Sequence, residues 1–249
     1  MTDTDPDTDT ATATVLSESV TGLGPFFAFR IHPLGTEPDG PWQPMSRPLL
    51  EARVAAVGAR LAAAGGRPPG SVEPRVAASV AHLGLAARLI SPALAAAVLH
   101  DRVLAPGLTE LRWQPVIGGP IPLSLPDSAV ADSPAGSPEH LADELSTRLL
   151  DGPLRELSDM MGKFSVSRHI VWGNTASALN GAATMIAAAR PELAARTRSL
   201  TSLLLARPPL RGTATMAGGG TFRRRSCCLI YRAAPDRSGP LCGDCVLAR

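Results

Sequence analysis

Residues 72–100, VEPRVAASVAHLGLAARLISPALAAAVLH, decide the fold class. Val72, Val76, Val80, Leu83, Ala87 and Ile90 recur at steps of four and three, the spacing that stacks side chains on one helix face. Ala and Leu dominate, and neither loses much on entering a helix. The stretch predicts one helix as far as Ile90 and a second from Ser91-Pro92 to about His100, because serine caps a helix and proline is tolerated in its first turn.

The same periodicity runs outward on both sides. Leu50, Val54, Val57 and Leu61 predict a helix over 49–64, stopped by Gly65-Gly66 and Pro68-Pro69. Ser137-Pro138 opens another with Leu141, Leu145 and Leu149 as its stripe; Gly152-Pro153 closes it, and a short helix follows to about Met161. Trp172, Ala176, Leu179, Ala183 and Ile186 mark a further helix whose small neighbours, Gly173 and Gly181 among them, permit close packing. Pro191 starts a last one, ended by Arg207-Pro208-Pro209. Between helices, residues 111–125 read as two short strands around a glycine turn, with Pro120 and Pro122 holding the second at a sheet edge. Another short strand is expected near 26–31. The fold class is therefore mainly α with a minor β element: a helical domain over 22–210 and a short cysteine-rich module over 211–249.

With 249 residues and 45% hydrophobic content, the chain buries a sizeable core without disulfides. The net charge of +2 is too small to announce a nucleic-acid partner. Residues 1–21 begin MTDTDPDTDT and are expected to be a disordered acidic tail. Its aspartates stand where a secretory leader needs a basic start, and His82, Arg88 and Ser91-Pro92 interrupt the most apolar region, so no transmembrane segment and a cytoplasmic location are expected. Residues 210–221, with Gly218, Gly219 and Gly220, read as a flexible lead-in to the cysteines.

All four cysteines lie between Cys227 and Cys245. Clustered thiols in a reducing compartment point to metal rather than a disulfide framework. Cys242-Gly-Asp-Cys245 is a turn in which two sulfurs reach one metal, a device that zinc and iron–sulfur sites share. The adjacent pair Cys227-Cys228 fits zinc ribbons poorly and a binuclear cluster more readily; spacing does not say which thiol meets which iron. Arg223, Arg224 and Arg225 just upstream, with Arg232 and Arg237 between the cysteine pairs, would favour a reduced, more negative cluster, or are simply a solvated basic run.

RRRSCCLIYR followed by LCGDCVL resembles the C-terminal signature of the FhuF-type ferric-siderophore reductases. SRHIVWGNTASALNGAA, residues 167–183, resembles the family's second recurring stretch, and residues 76–100 with 111–123 are similar to the middle of its actinobacterial members. The resemblance thus spans most of the chain from Val72 onward. It implies a one-electron reductase of ferric siderophores, with Cys227, Cys228, Cys242 and Cys245 as ligands of a 2Fe–2S cluster. The thirteen residues between Cys228 and Cys242 exceed the family's usual spacer, the extra length falling in the turn-forming stretch 234–239.

No dinucleotide motif or P-loop is present, so electrons are expected from a separate donor. Trp172 and Asn174 are candidates to stack on and hydrogen-bond a siderophore; the plainer expectation is that Trp172 is core and Asn174 a helix cap. The arginine run is a candidate for steering an anionic chelate. The five histidines are read as packed or surface residues. Two other function classes remain open: a non-catalytic helical module stapled by zinc on the four cysteines, and a siderophore-handling protein that does not reduce its ligand.

Overall fold

A computed structural model describes residues 6–132, 137–217 and 221–248. The chain is 54% helical and 10% strand, which makes it mainly α with a minor β element. Its helices are α1 (Pro6–Thr21), α2 (Arg47–Ala64), α3 (Pro74–His100), α4 (Pro138–Leu145), α5 (Pro153–Met161), α6 (Arg168–Ala189) and α7 (Ala194–Leu205). Ser137 and Ser167 cap α4 and α6, accepting from the amides of His140 and Ile170.

The core is organised around α3, which packs on α1, α2, α5 and α6. The expected break at Ser91-Pro92 does not occur. Pro92 sits inside a continuous 27-residue helix, with Ser91, Pro92 and every residue from Ala93 to Val98 buried. An interior proline costs about 3 kcal/mol. Burial of the side chains around it returns more, at about 1 kcal/mol or above for each of the larger ones. The uninterrupted helix is long and apolar enough to cross a membrane by length and composition alone, and 78% of that window is buried within the fold.

Three further expectations are corrected. The N-terminal segment is helical from Pro6, because Ala13, Leu16 and Val20 fall on one face and bury it, while the Ser17 hydroxyl donates to Phe29 O at 2.6 Å. The residues around 111–125 do pair, as β4 (Arg112–Trp113) antiparallel to β5 (Leu123–Pro126). However, β5 is interior, lying between β4 and the parallel strand β1 (Arg30–His32), with β2 (Gln43–Pro44) beyond β4. Pro120 and Pro122 precede the strand, so neither removes a ladder bond. A second small sheet pairs β3 (Arg102–Leu104) with β6 (Val130–Asp132). The segment expected to be a flexible lead-in carries a hairpin, β7 (Ala214–Ala217) against β8 (Thr221–Arg224); Gly218–Gly220 lie outside the described residues.

Arg88 joins the sheet to the helices. It is 2% exposed, and its guanidinium donates to the carbonyls of Ile121 (2.6 Å), Phe26 and Ala28. Burial pulls its pKa down to about 10, which still leaves it charged at neutral pH. The Arg88→Met variant strands the buried Ile121 carbonyl and two partly buried ones, and is expected to lose about 3 kcal/mol of stability. Urea denaturation checks this; an unchanged midpoint and slope would refute the role given to Arg88.

Candidate metal centre

Residues 225–248 hold little regular structure, so the cysteines are positioned by what they dock against. That surface is α6. A Cβ at Gly173 would overlap the Ser226 hydroxyl, so glycine there lets the cysteine segment lie directly on the helix backbone. Ser226 Oγ then donates to His169 O at 3.1 Å. From α3, Ser79 Oγ donates to Cys228 O at 2.8 Å. The spacer folds back on the same helices: a short 3-10 turn (Ile230–Ala233) is held by Arg232 on Glu73 at 2.7 Å and by Arg67 on Ala233 O. Arg237 also reaches Glu73, at 3.5 Å. These two arginines therefore face a carboxylate at the N-terminus of α3 rather than standing free beside the cysteines.

Four thiols gather in two pairs. Cys228 Sγ is 3.7 Å from Cys242 Sγ, and Cys245 Sγ is 4.0 Å from Cys227 Sγ. Each pair joins one of the adjacent cysteines to one of the C-x-x-C turn, a crossing that spacing does not reveal. Two sulfurs on one tetrahedral metal, with bonds of about 2.3 Å, sit about 3.8 Å apart. Each pair is thus spaced to hold one metal, whereas no three Cys, His, Asp or Glu side chains converge as a single-ion site among the described residues. Cys228 and Cys245 are buried, Cys227 and Cys242 half-buried, and none is in a disulfide.

Backbone geometry favours thiolates. Leu229 takes φ 69°, left-handed and uncommon for a non-glycine residue, and its amide donates back to Cys227 Sγ at 3.3 Å. Leu247 N donates to Cys245 Sγ at 3.4 Å. Against this, burial pushes the Cys227 thiol up to about 11, with the neighbouring cysteines adding to it, and raises Cys242 as well. The metal-free thiols of this pair of residues therefore hold their protons at neutral pH, and a metal must displace them on binding.

The arginine run does not act as a unit. Strand alternation through β8 puts Arg223 and Arg225 outside and Arg224 inside, 1% exposed. Arg224 Nη2 donates to Asn174 Oδ1 at 2.8 Å and Nε to Ser226 O at 3.1 Å, while Nη1 is buried without a partner. Asn174, fully buried well inside α6, is not a cap; its amide donates to Ser79 O and Oγ at 2.9 and 3.1 Å. Trp172 is 7% exposed with the Arg155 guanidinium 5.9 Å from its ring centre, a core residue rather than an open stacking platform. Sequence assigns His82 no role. It is fully buried, neither ring nitrogen has a partner, and burial, followed by the charge of Arg224, lowers its pKa to about 3.

Beside the C-x-x-C turn lies a polar recess of about 450 Å³ lined by Ser177, Asn180, Gly181, Thr184, Phe222, Gly243 and Asp244. Ser177 Oγ donates to Asp244 Oδ2 at 2.5 Å and helps fix the turn. A larger apolar recess of about 590 Å³ between α2 and α3 touches none of the cysteines. No family model and no curated protein matches the chain.

Two outcomes are expected from this geometry. Gly173→Ala costs about 1–3 kcal/mol by pushing Ser226 off α6, and adding Ser226→Ala, which removes the overlapping oxygen, restores most of it; thermal unfolding of both variants checks the pair. His82 stays neutral in the fold but protonates in the unfolded chain below its ordinary 6.5. Its contribution is therefore complete above that pH and falls by about 1.4 kcal/mol per unit on acidification. His82→Leu should flatten the stability profile by about 2 kcal/mol between about pH 6.5 and 5, as read by denaturation across that range.

Proposed function

We propose that the chain is a ferric-siderophore reductase in which Cys227, Cys228, Cys242 and Cys245 hold a 2Fe–2S cluster and a separate donor supplies the electrons. The observation that carries this reading is the division of the thiols into two pairs at 3.7 and 4.0 Å, each the right separation for one tetrahedral iron. Arg224, buried with one nitrogen unpartnered, supports it further, because a charge removed from water needs a counter-charge and thiolate-bound iron–sulfur would provide one. When bound, such a cluster supplies a one-electron store.

The chain's own residues supply the rest. The Leu229 and Leu247 amides hold negative charge on sulfur, and Cys228 and Cys245 are shielded from water while Cys227 and Cys242 partly reach the surface. The polar recess reaches the turn between Cys242 and Cys245, and it offers hydroxyl and amide groups to a chelate approaching that edge. Exposed Ile230, Leu241, Val246 and Leu247 flank the cysteines in sequence and give a donor protein apolar surface on which to dock. Hard oxygen donors hold ferric iron tightly and ferrous iron weakly, so one electron delivered there releases the metal.

Anaerobically purified protein is expected to contain about two irons and two sulfides per chain. Its visible bands should bleach with dithionite and return on addition of a ferric siderophore, with ferrous iron trapped by a chromogenic chelator. A colourless protein that binds a single zinc after reconstitution would remove the reading, and a cluster that ferric siderophores do not reoxidise would leave electron transfer with another acceptor.

A further inference from the structure

Arg224 occupies an unusual position. It is 1% exposed, no carboxylate pairs with it among the described residues, and one of its nitrogens has no partner at all. Guanidinium stays protonated under all physiological conditions, so the fold keeps a full positive charge inside. His82, which feels that charge, is held neutral and does not offset it. Such an arrangement is costly in an otherwise apolar interior.

Arg224 is tied to the cysteine segment at two points. Arg224 Nε donates to Ser226 O and its backbone amide donates to Asp244 O at 3.0 Å. Ser226 and Asp244 immediately precede Cys227 and Cys245, so one residue grips the peptides leading into the Cys227–Cys245 pair. Behind it, Asn174 on α6 accepts from the guanidinium and is itself held by Ser79 on α3, which also donates to Cys228 O. Arg223 and Arg225, which differ only in strand parity, point to solvent.

We propose that Arg224 is the internal counter-charge of the cysteine centre, a positioning residue that sets how readily the centre accepts an electron. This rests on the cluster reading above. Four thiolates, two ferric ions and two sulfides carry about two negative charges, and one-electron reduction adds one more. A fixed buried cation stabilises the reduced form more than the oxidised one. Being buried, it acts at any ionic strength, unlike its exposed neighbours, whose effect salt screens.

The experiment is a spectroelectrochemical titration of the reconstituted full chain. Arg224→Gln should lower the midpoint potential so that, at a fixed poise, the reduced fraction relative to oxidised falls by about tenfold or more, about 59 mV per tenfold for one electron. The shift should persist in high salt, and Arg224→Lys, which keeps the charge, should recover most of it. R223Q and R225Q should shift the ratio by less than about twofold, with the difference vanishing in high salt. Should R224Q fail to fold, Asn174→Asp carries the test, since it sets a carboxylate against Nη2 and cancels the charge in place; it should lower the potential likewise. A cluster-loaded R224Q or N174D with the wild-type potential overturns the inference alone, as does a shift that salt abolishes. A wild-type chain with no visible chromophore after reconstitution overturns the cluster reading and the inference with it, and the absorption spectrum tells the two cases apart.

Discussion

The packing of α3 against α6 is the contact on which the cysteine segment depends. The two helices approach closely because they are rich in small residues, and they bury Ser79, His82 and Asn174 along with their alanines. Those polar groups cannot be left unpaired without a penalty of about 1–3 kcal/mol each. Ser79 and Asn174 satisfy one another across the interface and then reach what lies above: Asn174 Oδ1 accepts from Arg224, and Ser79 Oγ donates to Cys228 O. A segment with almost no regular structure thereby acquires fixed points on two rigid helices.

Rigidity of this kind would suit the redox role proposed for the cysteines. The cysteine loop contributes few buried apolar side chains of its own, and its order comes from hydrogen bonds to helix-borne groups and from the gap that Gly173 leaves for Ser226. The cost falls on the helical core, which tolerates a neutral buried histidine and a buried arginine without a carboxylate partner. Local inconsistency with ordinary core composition is what functional positions commonly show. The thirteen-residue spacer fits the same plan: residues 235–238 form an exposed turn, while Arg67 and Glu73 tether its shoulder to the ends of α2 and α3.

Much of the helical scaffold is legible from periodicity, as is the cap at Ser137, because apolar spacing and capping chemistry are local properties; the cap that Ser167 supplies is read in sequence at Asn174, seven residues further on. The helix at Pro6–Thr21 is hidden in sequence by the aspartates that precede its apolar face. Ser91-Pro92 carries a true local signal for a helix start, overridden by burial on all sides of α3. Pro120 and Pro122 look ladder-breaking in sequence although the strand begins after them, a boundary of one residue that lets the strand lie inside the sheet rather than at its edge.

At the centre itself, sequence alone supplied the candidate donors: four cysteines, adjacent on one side and turned on the other, because residue type and short-range spacing are written in residue order. It also singled out the arginine run and Asn174, though with different roles. Only the tertiary structure decided that Cys228 pairs with Cys242 and Cys227 with Cys245, that Arg224 lies inside while its neighbours face water, and that His82 feels its charge. These are contacts between residues far apart in the chain, and they exist because helix packing, not chain proximity, brings their surfaces together.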